Sequence, residues 1–251
     1  MMLKEKFIAP SINIDELCEE ANGINIATET QEKNINSSIA FFSLEMSSEQ
    51  LSTRILAEQS RIKSNDIRRG RISDEQFDKF IETSKNISEL PLYIDETPAI
   101  TIAAMSNRAR RIKRTHGLDM IIVDYIQLMR GTLNYKDGRV QEVSEITQGL
   151  KAIAKELSIP VVALSQLSRQ VEQRDNKKPQ LSDLRESGAI EQDADIVMML
   201  YRDDYYNPGT ETTGVAEVNI VKNRSGQTGK VDLFFSKEFT QFSNYSKQDQ
   251  Q

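Results

Sequence analysis

The chain has 251 residues, 38% of them apolar and 28% charged, with a net charge of −6 and a pI of about 5.1. That length suits one large α/β domain or two small ones. An acidic chain does not coat nucleic acid with its whole surface, so any such contact must use local basic patches. Cys18 is the only cysteine, which leaves no disulfide framework and fits a reducing cytoplasm. The longest apolar runs are strand length, far short of a membrane span. The opening MMLKEKF lacks the apolar core of a signal peptide.

Residues 1–36 mix a weak helical pattern with Asn, Thr and Gly and read as a short helix plus a mobile linker. The apolar run at 39–46, IAFFSLEM, is the first strand. Ser47 followed by Gln50 forms a capping box that predicts a helix to about Ser60, and Ser73 with Gln76 repeats the signal. Phe77, Phe80, Ile81, Ser84 and Ile87 then share one helical face. LYID at 92–95 is a second strand. Thr101 can cap a helix with Ile102, Met105, Ala109 and Ile112 on its apolar side, and His116-Gly117 ends it. DMIIVDYI is the third strand, followed by a polar loop at 131–138 and a helix over roughly 140–157. VVALS at 161–165 is the fourth strand, and 168–182 is a long exposed loop, partly basic. A short helix at about 186–192, the strand DIVMMLYR and a hairpin over VAEVNIVKNRSGQTGKVDLFF complete the pattern. Strands alternating with helices predict an α/β fold: a mainly parallel twisted sheet flanked by helices, with an antiparallel carboxyl-terminal hairpin. The expected division is an atypical segment at 1–38, one domain at 39–246 and a frayed tail at 247–251.

In such a sheet, ligands gather outside the carboxyl ends of the strands. Asp124 ends the third strand, where an ionised carboxylate can hold magnesium directly or through water, or can simply cap a loop. Glu45 follows the first strand. It can polarise a water for attack on a γ-phosphate, though a helix dipole alone also accounts for a Glu there. Gln166 follows the fourth strand, and its amide can donate to a phosphate oxygen and accept from a water. Lys222 and Arg224 lie near the hairpin tip, where they can reach a neighbouring subunit or serve as ordinary solvated turn charge. An arginine supplied in trans is worth roughly 10³–10⁵ in rate in phosphoryl transfer. The arginines at 108–114 oppose a clean apolar stripe and read as a solvated helix face. The segment 168–188 is the better nucleic-acid candidate: it is basic in its middle and contains LRESG, with Gly188 open to close backbone approach. His116, the only histidine, reads as part of a helix stop, and no metal-ligand spacing occurs.

Taken together, FFSLEMSSEQL, IIVDYIQLM, LKAIAKELSIPVVALSQLSRQVEQR, DLRESGAIEQDADIVMMLYR and VKNRSGQTGKV closely resemble the carboxyl-terminal motor domain of DnaB-type bacterial replicative helicases. The resemblance runs in order over about residues 39–246. It implies a RecA-like P-loop NTPase core that works as a homo-hexamer with ATP and magnesium bound between subunits. By that resemblance Glu45 looks like the catalytic glutamate, Asp124 like the magnesium aspartate and Gln166 like the sensor glutamine. Arg224 looks like the arginine finger, with Lys222 beside it. Arg185, Glu186 and Gly188 match the loop that tracks single-stranded DNA by its backbone, a contact that should be sequence-independent and salt-sensitive. It also implies movement five-prime to three-prime and partnership with primase and a helicase loader, in the cytoplasm at the nucleoid.

Two features depart from the family. No G-x-x-x-x-G-K-[ST] occurs in these 251 residues, so the first strand and P-loop of the family have no counterpart. The family's amino-terminal helical domain has none either. Three readings follow: a subunit of an ATP-driven helicase completed by another chain; a nucleotide-incompetent remnant that binds single-stranded DNA or intact helicase subunits; and a RecA/RadA-type recombination ATPase, which fits SLEM and LRESG less well.

Overall fold

A computed structural model describes residues 37–132 and 138–245. The expected amino-terminal helix and linker, most of the 131–138 loop and the tail beyond residue 245 lie outside the described residues. Strands β1 (Ile39–Ser43), β2 (Leu92–Asp95), β3 (Met120–Asp124) and β4 (Val161–Ala163) form a parallel sheet in the order β2-β1-β3-β4. Their apolar runs are continuous because both faces are covered. Ala40, Phe42, Ile121 and Val123 point to one face, against Met105 and Ala109 of α4 (Ile102–His116) and Ile146, Leu150 and Ile153 of α5 (Arg139–Leu157). Ile39, Phe41, Met120 and Ile122 point to the other, where Leu51 of α1 (Ser48–Ser60) packs. Helices therefore lie on both faces, as the alternating pattern predicts.

The caps form as the sequence predicts. Ser47–Gln50 opens α1 and Ser73–Gln76 opens α3 (Asp74–Ser88), each as a reciprocal capping box, and Thr101 caps α4 by accepting from the Ala104 N–H at 3.3 Å. Gly117, with φ +82°, terminates α4. The six-residue α2 (Ser64–Arg69) has no counterpart in the sequence reading, since it buries no residue and so imposes no apolar period. The apolar stripe of α3 is a second difference. Phe77 and Ile81 are exposed, and no described residue of α3 is fully buried.

The apolar run at 121–129 does not continue as one strand. β3 stops at Asp124, the Asp124–Tyr125 peptide is cis, and Ile126–Leu128 forms a 3-10 turn. The segment 168–182 is likewise not simply an exposed loop. It contains a 3-10 turn at Arg169–Gln173, and a second at Leu181–Ser187 leads directly into α6 (Gly188–Asp193). The carboxyl-terminal part is larger than a hairpin. β5 (Ile196–Tyr201), β6 (Val215–Asn223), β7 (Gly229–Ser236) and an additional β8 (Gln241–Asn244) form their own antiparallel sheet in that order, with α7 (Asp203–Tyr206) between β5 and β6. No ladder joins the two sheets among the described residues, so β4 and β5 are both edge strands. No described helix is long and apolar enough to cross a membrane.

Candidate active site

The β1–β3 register pairs Ser43 with Asp124, and the Leu44 N–H donates to the Asp124 carbonyl at 2.7 Å. Glu45 is therefore carried over the end of β3 by a turn in which the Ser43 hydroxyl donates to the Met46 carbonyl at 2.8 Å. Glu45 is exposed and Asp124 half-buried. Burial pushes the Asp124 carboxyl above its ordinary value, and the charge of Glu45 adds to that push, while Arg54 of α1 pulls it back. The two carboxylates thus lie close enough to repel. That is the arrangement a divalent cation relieves. Among the described residues no cluster of three acidic or other ligating side chains exists. One or two carboxylates suit magnesium bound jointly with phosphate rather than an all-protein cage. The residues fit the metal side of a nucleotide site. They do not supply the nest of backbone N–H groups and the lysine that cradle β- and γ-phosphates.

Gln166 follows β4, beside the same strand ends. The Leu164 N–H donates to the Val123 carbonyl at 2.9 Å, and the Ile126 N–H donates back to the Leu164 carbonyl at 3.0 Å. Gln127 then grips the main chain of Gln166. Its side-chain oxygen accepts from the Gln166 N–H at 3.2 Å, and its amide donates to the Gln166 carbonyl at 3.2 Å and to the Ser165 hydroxyl at 2.9 Å. Sequence reasoning misses Gln127. The available signal is a polar residue set in the apolar run YIQLM. A cavity of about 500 Å³ opens next to Gln166, bounded by Leu167, Arg169, Leu200, Arg202 and Tyr205 among others, and neither Glu45 nor Asp124 lines it. The paired carboxylates, not this cavity, mark the chemistry.

Lys222 and Arg224 are engaged away from the carboxylate pair. Lys222 Nζ donates to the carbonyls of Glu191 at 2.5 Å and Ala194 at 2.7 Å, closing the carboxyl end of α6. Arg224 pairs with Asp195 at 2.7 Å, with both side chains at least half exposed. The Asp195 carboxyl is held below its usual range foremost by a hydrogen bond from Lys151, with Arg224 a lesser contributor. Lys222 is committed to the fold, whereas Arg224 is loosely held.

The basic residues of 168–182 are also committed. Arg174 pairs with the buried Asp183 at 2.7 Å, Lys178 pairs with Glu217 at 2.7 Å and lies over the Tyr201 ring, and Lys177 lies over Tyr206. The acidic and aromatic groups of β5, β6 and α7 gather the two lysines and Asp183 holds the arginine, which pins the segment and corrects its reading as a free basic loop. Arg185 and Glu186 lie in the second 3-10 turn, and Gly188 begins α6. Gly188 is exposed with φ −51°, and a Cβ there meets nothing within 4 Å. Its backbone does not require glycine, although its flank is open.

A parallel sheet bearing acidic groups at adjoining strand ends, extended by an antiparallel sheet, defines a RecA-like core. The chain belongs to the DnaB-like helicase C-terminal domain family, which matches residues 20–244. It is 49% identical over 227 residues to the replicative DNA helicase DnaB of Rickettsia typhi (strain ATCC VR-144 / Wilmington), covering 84% of this chain and 46% of that one. The chain thus spans about half the length of that relative. Among solved structures it resembles a phosphohydrolase core described as an ATPase domain, with a TM-score of 0.83 and 36% identity over 89% of this chain and 79% of that one. It also resembles a DnaB-like replicative helicase described with its interactions with primase, with a TM-score of 0.80 and 38% identity over 86% of this chain and 53% of that one.

Proposed function

We propose that this chain provides the motor core of an ATP-dependent replicative helicase, acting as one subunit of a homo-hexamer that moves five-prime to three-prime along single-stranded DNA. Asp124 holds nucleotide-bound magnesium, which neutralises phosphate charge when present. Glu45 takes a proton from the attacking water, Gln166 orients that water against the γ-phosphate, and Arg224 reaches the site of the adjoining subunit. Lys222 supports Arg224 by fixing the base of its strand. Arg185, Glu186 and Gly188 follow the DNA backbone. Primase and a helicase loader are its expected partners, by analogy with the helicase described with primase. The observation that carries this reading is the close approach of Glu45 to Asp124 across β1 and β3, strong enough to help raise the Asp124 carboxyl.

The 251 residues hold no Gly-Lys-Thr/Ser. Alone, the polypeptide neither binds ATP tightly nor unwinds DNA, and it works only with a chain that supplies the phosphate loop. The second reading, a remnant that binds single-stranded DNA or intact helicase subunits, rests on the same missing loop. A titration of ATP with magnesium into the isolated chain separates the outcomes. Micromolar affinity contradicts the need for a second chain. If tight binding appears only after mixing with an intact helicase domain, and Glu45→Gln assemblies keep that binding but lose turnover, the motor reading stands. Mixed assemblies that bind DNA but never turn over ATP favour the remnant.

A further inference from the structure

We propose that Asp183 is a positioning residue that ties the Gln166 strand end to the Arg185–Gly188 turn, so that a ligand at one is felt at the other. This rests on the reading of those two segments as phosphate-facing and DNA-facing. Asp183 is 6% exposed. Its Oδ2 accepts from the Gln180 N–H at 2.7 Å and from Arg174 Nη2 at 2.7 Å, while its main-chain carbonyl accepts from the Ser168 N–H at 3.0 Å. One residue therefore holds three points at once: the chain just beyond Gln166, the middle of the pinned segment, and the turn that begins before Arg185. On the other side Gln127 clamps the Gln166 main chain and is itself held by Arg139, which donates to the Gln127 carbonyl at 2.5 Å. Gln127, Gln166, Ser168 and Asp183 line one small void of about 90 Å³, so the two tethers adjoin.

A buried carboxylate is not the cheapest way to fill this position. A buried ion pair is often no more stabilising than apolar side chains of the same volume. What it adds is direction, because charge-assisted hydrogen bonds fix where the guanidinium and the N–H must lie. An apolar residue keeps the volume and loses the alignment. The coupling therefore depends on the acceptor atoms of Asp183 rather than on its bulk.

The test is hydrogen exchange on the full chain, free and with oligo(dT), in the wild type and in Asp183→Ala and Asp183→Asn. In the free Asp183→Ala chain the amides of 166–168 are expected to exchange roughly fivefold to tenfold faster, about what one lost hydrogen bond permits, with β1 and β3 unchanged. Oligo(dT) slows exchange at both 181–190 and 164–168 in the wild type. In Asp183→Ala it slows 181–190 alone while still binding within about threefold, a change well under the tenfold that 1.4 kcal/mol represents. Asp183→Asn, which keeps an acceptor oxygen, restores part of the protection at 164–168. The proposal is overturned if free exchange at 166–168 is the same in Asp183→Ala as in the wild type, or if bound oligo(dT) never protects 164–168. Absence of any oligo(dT) binding instead removes the DNA reading of the turn, and the free-chain comparison still decides the role of Asp183.

Discussion

Asp124 bears two unfavourable effects, burial and the nearby charge of Glu45, only partly offset by Arg54. A carboxyl whose folded value is raised contributes its full stability below the unfolded value, about 4, and loses it as pH climbs through the folded value. Asp124→Asn is therefore expected to raise the urea midpoint near neutral pH, with the gain shrinking toward zero as the solution is acidified below the ordinary carboxylate range. A gain of equal size at both ends of that range assigns the effect to packing instead. Lys222 and Arg224 make a second comparison. Lys222 closes α6 through carbonyls that lose a charged donor in Lys222→Ala, which should cost about 1.5–3 kcal/mol. Arg224→Ala removes an exposed pair worth about 0.5 kcal/mol. Urea unfolding of both variants checks the order. A large loss for Arg224→Ala says that this arginine is structural and not free to act on a neighbour.

At the scale of elements, α4 and α5 meet through Gly149. A Cβ at this position lies 2.2 Å from Ile102 Cγ1, too close to be absorbed without movement. Alanine is the better helix former by about 1 kcal/mol, yet overpacking costs about 1–3 kcal/mol. Gly149→Ala is expected to destabilise, and Gly149→Ala with Ile102→Val to recover part of the loss in thermal unfolding. The elements legible in the sequence are those specified locally. Ser47–Gln50, Ser73–Gln76 and Thr101 act within three residues, and the β1 and β3 runs are apolar because both of their faces are buried. What stayed hidden depends on distant partners. Lys178 finds Glu217, Lys222 finds the end of α6, and Gln127 finds Gln166 only after the chain has folded. The same holds for the site. Strand-end positions made Glu45, Asp124 and Gln166 visible as candidates, but only the β1–β3 register brings Glu45 over Asp124.

At the scale of the whole molecule, two sheets of four strands each leave an edge, β4 and β5, with no described strand alongside. On β5, Ile196 is 44% and Leu200 53% exposed. An open edge with apolar side chains is a template for pairing with other chains. The isolated chain is expected to self-associate as its concentration rises, and Leu200→Lys to suppress this in sedimentation velocity without shifting the thermal midpoint by more than about a degree or two, since an exposed substitution changes stability by about 0.5 kcal/mol or less. Equal sedimentation of the two proteins at all concentrations rules out the edge as the contact.

The short passage from Glu191 to Asp195 is held by Lys151, Lys222 and Arg224 at once, and it leads from the parallel sheet's side of the chain into β5 of a sheet that shares no ladder with it. It is a swivel with electrostatic bearings. Three cations gripping one turn let the halves rotate a little against each other while keeping them from parting, and the stiffness of that joint falls as dissolved salt weakens its grip.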